Sequence, residues 1–420
     1  MQSINPGGFL TSRRLPLTRR ASALAFAAVA CAGLSACGGE EPGVQTTAST
    51  GVVPTPTPTP TPTGTGDANT IVQQFVSLNL EALDNYANPA LPAYYDNTVA
   101  AIDNTPAGDP VDNAIATLGR VLFYDVALSV NDTTSCATCH QQSLAFDDDE
   151  QFSTGFAGGQ TGAHAMRLGN MRYFEGGEMF WDRRAESPED QALQPVLDET
   201  EMGWSENGGI PALITKMEGL EYYPVLFEFV FGGEAITQAR MERALAHFQR
   251  AMISSDSRWD QSYAQVFGPG APNRALNEAL PNFSASENRG RELFMTNPGG
   301  GGAGCARCHR PPTFALDEAS RSNGLDAGET TIFKSPSLKG IAMSRFFMHD
   351  GRFTTLRQVV DHYADGIQNG PALDNRLRQN NQPMRLNLDE DDREALVDFM
   401  ETLTDDTLIA DPKFSDPFIR

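Results

Sequence analysis

Two pentapeptides hold the residues best suited to chemistry: Cys136-Ala137-Thr138-Cys139-His140 and Cys305-Ala306-Arg307-Cys308-His309. A cysteine pair with two residues between, followed directly by histidine, is the spacing of c-type haem attachment. On a helical turn the i, i+3 pair puts both sulfurs on one face, where they can form thioethers to the two haem vinyl groups. The adjoining imidazole can then reach the iron. Each motif is thus an attachment site, Cys136 with Cys139 and Cys305 with Cys308, plus one axial ligand, His140 or His309. The chain should carry two covalently bound haems. A four-cysteine zinc site or a redox dithiol could use the same pairs, but neither accounts for a histidine after both. The remaining cysteines, Cys31 and Cys37, lie near the N-terminus, so no disulfide framework is expected.

The elements that must position these motifs read as helices. Each motif follows a similar stretch, residues 116–123 in the first half and 288–294 in the second, with apolar residues at helical spacing. This looks like the internal duplication of a small helical haem domain. Between them, Thr237 to Ile253 places Met241, Leu245, Phe248 and Met252 on one face, with Thr237 as cap. A last helix is expected from about Leu388, where Leu396, Phe399, Met400 and Leu403 repeat after an acidic turn. Strand signals are sparse. The expected fold is mainly α, two cytochrome c-like haem domains in tandem with long loops. The Gly-, Pro- and Asn-rich stretch 268–281 suggests a division into an N-terminal domain, 69–270, and a C-terminal domain, 271–420.

Residues 1–36 read as an export signal: Arg13, Arg14, Arg19 and Arg20 precede an apolar stretch too short for a reliable membrane span. It ends in Leu34-Ser35-Ala36-Cys37, which resembles a lipobox, with an ordinary cleavage site as the alternative. Residues 37–68, rich in Pro and Thr, read as an extended linker. The expected location is the periplasm, lipid-anchored to a bacterial envelope membrane. The formal charge of −23 argues against nucleic acid and anionic lipid as partners and is compatible with steering a basic electron donor.

Further blocks resemble the bacterial diheme cytochrome c peroxidases and their MauG-type relatives, over nearly all of residues 110–405. They are Leu118-Gly119-Arg120-Val121-Leu122-Phe123-Tyr124-Asp125, Phe180-Trp181-Asp182-Arg183-Arg184-Ala185, Glu201-Met202-Gly203, Lys334-Ser335-Pro336-Ser337-Leu338-Lys339 and Met348-His349-Asp350-Gly351-Arg352-Phe353. The resemblance implies that the His140 haem reacts with hydrogen peroxide and that the His309 haem relays or stores oxidising equivalents. Trp181 would lie between the haems and assist electron transfer, and Glu201 would be the distal proton shuttle. His164 is a candidate distal ligand, with a supporting loop role as the favoured alternative. Tyr363, fourteen residues after His349, stands where MauG-type enzymes have a tyrosine ligand and other members a methionine; His362, Met348, Met343 and Met295 are competitors. His349 is read as a haem-pocket residue, His247 as structural or exposed, and Arg167 and Arg345 as candidate propionate partners. Asn170, with the carbonyls of Ser344 and Phe346, is the nearest match to a calcium site of the family. The expected function is reduction of hydrogen peroxide with electrons from a small redox protein. The alternatives are peroxide-dependent oxidation of a partner protein's side chain, or a non-catalytic diheme electron carrier.

Overall fold

The computed structural model describes residues 65–419; the export signal, Cys37 and the linker as far as residue 64 lie outside the described residues. The chain is mostly helical, and the only strands among the described residues are two-residue ladders: β1 (His309–Arg310) against β2 (Ala315–Leu316), and β3 (Arg378–Gln379) against β4 (Gln382–Pro383). The principal helices are α1 (Asn113–Tyr124), α2 (Cys136–Cys139), α3 (Tyr222–Phe231), α4 (Gln238–Arg250), α5 (Arg258–Val266), α6 (Ala285–Met295), α7 (Leu356–Asp361) and α8 (Glu390–Glu401). Long loops separate them: between Cys139 and Gly209 the helical segments are five residues or shorter.

Local chemistry sets most of these starts. Asp112 accepts from the amides of Ala114 and Ile115 at the head of α1, and Thr237 accepts from Arg240 at the head of α4. Ser284 and Glu287 cap α6 reciprocally, and Asp389 caps α8. Each cap satisfies amides that have no partner inside the helix.

The duplication seen in the sequence is a repeated helix crossing. α1 packs on α4 at Gly119, and α6 packs on α8 at Gly290. A Cβ at Gly119 would run into the Ala244 carbonyl oxygen and lie 2.8 Å from Phe248 Cβ. At Gly290 it would run into the Ala395 carbonyl oxygen and lie 2.8 Å from Phe399 Cβ. Both crossings therefore need glycine, because each backbone sits where a side chain would be.

Each crossing belongs to its own hydrophobic core. The first gathers Leu118, Leu122, Phe123, Tyr223, Leu245 and Phe248; the second gathers Leu293, Phe294, Phe314, Leu396 and Phe399. These cores divide the chain differently from a cut at residue 270. Trp259 and Tyr263 of α5 belong to the second, where Trp259 stacks on Tyr263 at 4.7 Å and meets the edge of Phe314 at 4.9 Å. Leu408 and Phe414, near the C-terminus, return to the first. Arg120 of α1 holds that returning strap, donating to the carbonyls of Ser415 and Pro412 at 2.7 Å each.

Candidate active site

The first motif forms α2 itself. The Ser135 amide donates to Thr138 Oγ1 at 3.0 Å, a capping contact that ties the turn carrying Cys136 and Cys139. His140 follows at its end, with Nδ1 3.2 Å from the Phe146 carbonyl. A carbonyl only accepts, so Nδ1 carries the proton and Nε2 keeps its lone pair. Burial holds the His140 pKa below the usual value, which keeps the ring neutral.

Glu201 faces this motif. Asp198 Oδ1 accepts from the amides of Thr200, at 2.8 Å, and Glu201, at 3.0 Å, while the Glu201 carbonyl accepts from Phe156 at 3.0 Å. The segment is thereby pinned from both sides. Burial and the neighbouring Asp198 charge push the Glu201 carboxyl up to about 7. Its charge acts on both Cys136 and Cys139, whose burial raises their thiols to about 12.

The second motif opens into an apolar cavity lined by Cys305, Cys308 and His309 together with Leu338, Val360 and Leu396. His309 is placed by the β1–β2 ladder, opposite Leu316. Burial pushes its imidazole down to about 4, and its Nδ1 has no hydrogen-bond partner. Tyr363 and Met348 line the same cavity, as do Met384 and Met400; His362, Met343 and Met295 do not. His362 instead turns Nε2 to the Asn323 carbonyl at 3.3 Å. Asn323 lines the same cavity as His309, and its Nδ2 lies 3.2 Å from Met348 Sδ and 3.5 Å from the Tyr363 hydroxyl. Burial holds the Tyr363 phenol well above its usual pKa, so it stays protonated until a cation faces it.

Trp181 belongs to the surroundings of the second motif. It lines the cavity of the second motif, donates Nε1–H to the His164 carbonyl at 2.7 Å, and accepts at its own carbonyl from the Lys334 amide at 2.7 Å. His164 is buried, with Nδ1 3.1 Å from the Glu150 carbonyl and Nε2 in contact with Asp147 Oδ1 at 3.1 Å, without the alignment of a good hydrogen bond. Asp147 also contacts Arg167 at 3.4 Å and accepts from the Ser344 hydroxyl, and its charge acts on His140. Nδ1 is committed to the backbone and the His164 carbonyl holds the Trp181 indole, the supporting loop role, while Nε2 has a contact with Asp147 but no hydrogen bond.

The calcium set also finds other work. Asn170 Oδ1 accepts from the Ser254 amide at 2.8 Å, and its Nδ2 points at the Ser254 and Thr313 carbonyls at 3.3 Å each. The oxygen that would face an ion is thus committed to a backbone donor. Ser344 binds Asp147 and Arg167, and the Phe346 ring packs edge-on to His164 at 5.9 Å. These contacts engage the Asn170 amide and the Ser344 and Phe346 side chains; the Ser344 and Phe346 carbonyls, the other proposed calcium donors, are not among the acceptors of these bonds. Of the candidate propionate partners, Arg167 lines the cavity, whereas Arg345 is exposed beside Asp149 at 3.7 Å. His349 lines the cavity with its ring stacked on Phe333 at 3.8 Å, and His247 is a buried structural residue accepting from the Asp112 amide at 3.1 Å.

The residues present fit haem attachment at both motifs. Each brings two unpaired cysteines and a neutral imidazole, the donor set of a covalently held macrocycle, and the second motif adds an apolar cavity. Zinc does not fit: among the described residues no group of three or more His, Cys, Asp or Glu is placed to hold a metal ion.

The family model for "Di-haem cytochrome c peroxidase" matches residues 113–266. A methylamine utilization protein MauG of Methylorubrum extorquens is 31% identical over 314 residues, covering 71% of this chain and 80% of that protein. This chain belongs to the di-haem cytochrome c peroxidase and MauG family. It is accordingly a diheme oxidoreductase of the cytochrome c peroxidase type. A cytochrome c551 peroxidase of Nitrosomonas europaea is 26% identical over 356 residues, covering 80% of this chain and 92% of that one. The crystal structure of a MauG-like protein associated with microbial copper homeostasis superposes with a TM-score of 0.62 at 28% identity, covering 79% of this chain and 99% of that one.

Two members of the site escaped the sequence. Asn323 lies forty residues before Tyr363, and only the folded chain brings it there; Asp147 opens an acidic run in which nothing distinguishes it from its neighbours.

Proposed function

We propose that this protein is a periplasm-facing, lipid-anchored peroxidase built from two cytochrome c-like haem domains in tandem. It reduces hydrogen peroxide to water, taking two electrons and two protons per molecule. Thioethers at Cys136 and Cys139, and at Cys305 and Cys308, would hold the haems, with His140 and His309 as axial ligands. Bound haem supplies the iron that takes peroxide and the redox equivalents that cleave it.

The observation that carries this reading is Glu201, a carboxyl poised near neutrality and facing the first motif. Near its pKa a carboxyl is divided between base and acid, so it can take the proton of an arriving peroxide and return it to the departing oxygen. A pure electron carrier has no use for such a group. Trp181, locked at both its indole N–H and its carbonyl, supplies a fixed aromatic ring for electrons travelling from the second haem to the first. A small redox protein would replenish those electrons.

Tyr363 favours a second reading. Its hydroxyl and Met348 Sδ share Asn323 in the cavity that His309 lines, and phenolate ligation would lower that haem's potential and favour the ferric state. Peroxide-dependent oxidation of a partner protein's side chain then becomes the competing activity. Stopped-flow mixing of oxidised and of half-reduced holoprotein with peroxide tests both readings. Reaction only after one-electron reduction supports the peroxidase that draws on its second haem. Reaction of the fully oxidised form supports the MauG-like alternative, and no reaction of either form refutes both.

A further inference from the structure

Asp125 is a buried carboxylate without a cation. It is 3% exposed, and among the described residues no Arg, Lys or His lies within ion-pair distance of it. Its Oδ1 accepts from the Ala127 amide at 2.8 Å, and its Oδ2 accepts from two phenols, Tyr222 at 2.7 Å and Tyr223 at 2.6 Å. The two phenol rings are 4.6 Å apart, and Tyr222 lies 5.1 Å from Phe75. Tyr223 belongs to the core against which Cys136 packs, and it feels the charge of that thiol.

We propose that Tyr223 and Tyr222, with Asp125 as proton acceptor, form an oxidisable pair that drains the oxidising equivalent from the first haem when no reducing substrate is present. This rests on the peroxidase reading, with hydrogen peroxide as the oxidant. Removing an electron from a phenol makes its O–H strongly acidic, so oxidation at neutral pH needs a base already in contact. Tyr223 gives one electron to the oxidised first haem and its phenolic proton to Asp125 Oδ2, leaving a neutral phenoxyl radical and a carboxylic acid. Tyr222 can then pass an electron to Tyr223 while its own proton goes to Asp125 and Asp125 returns the first. The radical moves one ring outward with no net proton release.

Trp204, in the same core, is less suited to this role. Its Nε1–H donates to the Leu128 carbonyl at 2.7 Å, which is no base, and the Lys216 ammonium lies 5.6 Å from its ring centre, where positive charge opposes an indole radical cation.

The test uses the holoprotein mixed with hydrogen peroxide without reductant, freeze-quenched for EPR and digested for mass spectrometry. The expected result is a tyrosyl signal that narrows when the protein is grown with ring-deuterated tyrosine, and oxidation products on the peptide bearing Tyr222 and Tyr223. Tyr223→Phe keeps the ring and should lose most of that signal; Asp125→Asn removes the base and should do the same. A signal insensitive to tyrosine deuteration, or products confined to Trp and Met, overturns the proposal without any variant having to fold. If the haem spectrum does not respond to peroxide at all, the peroxidase reading falls and this inference falls with it.

Discussion

Replacing Glu201 by glutamine removes a titrating carboxyl while keeping its shape, and the structure assigns it two separate consequences. The first concerns rate. Deprotonated Glu201 accepts the peroxide proton, so the wild-type rate constant for peroxide should rise as pH passes about 7, the value set by burial and Asp198. Glu201→Gln should lower it by about 10²–10⁴-fold, the range for a positioned general base, and flatten that rise. The second concerns stability. The folded carboxyl sits at about 7 against an ordinary 4.5, so the native state binds this proton more tightly than the unfolded chain. Stability from this group is complete below the unfolded value and is lost as pH rises toward 7. The shift corresponds to roughly 3 kcal/mol, which partial exposure to solvent screens to about 1–2 kcal/mol. Glu201→Gln should therefore be more stable than wild type by about 1–2 kcal/mol above pH 7 and equal to it near pH 4. Stopped-flow kinetics from pH 5 to 9 and denaturant melts at the two extremes measure both effects. A variant that keeps a wild-type rate and the same pH rise would refute the assignment.

Gly290→Ala should cost about 3 kcal/mol or prevent folding, since its methyl would meet the Ala395 carbonyl; a urea melt of the holoprotein measures this against the wild type. Asp147→Asn should cost about 3–5 kcal/mol, because it leaves Arg167 buried without its counter-charge. Burial pushes the Asp147 pKa up, but His164, Arg167 and Ser344 outweigh it and hold the carboxyl below its usual range. Its stabilisation is therefore present above the ordinary carboxylate pKa and fades as pH falls through the lowered value, an acid limb that thermal melts of Asp147→Asn should lack. Tyr363→Phe should change the absorption spectrum and potential of the second haem alone, and an unchanged spectrum would point to Met348 as the ligand beside Asn323.

What the sequence reveals here is local, and what it conceals is long-range. The helices before the two motifs are legible as apolar repeats, though not their crossings at Gly119 and Gly290; α4 announces itself by period and cap, and α8 by period after an acidic turn. Glu201 and Trp181 were legible only through resemblance to the family, since neither acidity nor aromaticity singles them out. A lone histidine in the right interval, His164 reads from sequence either as a ligand or as a loop support, and only the folded chain shows its Nδ1 on the Glu150 carbonyl and its Nε2 beside Asp147, seventeen residues earlier. The partner of Asn170 is equally hidden from sequence: its amide closes on Ser254, eighty-four residues away. The division at residue 270 followed composition, whereas the cores follow Trp259 and Tyr263, whose partner Phe314 lies far along the chain. Asn323 could not be singled out, because its significance depends on the convergence of His362, Tyr363 and Met348.

The central proposal is that two alike attachment motifs hold unlike haems, the first open to peroxide beside Glu201 and the second closed by a side chain from the cavity that His309 lines. EPR of the fully oxidised holoprotein, before and after cyanide, tests it most directly. The account predicts one high-spin and one low-spin ferric signal, with cyanide converting only the high-spin one. Two low-spin signals, both indifferent to cyanide, would contradict it.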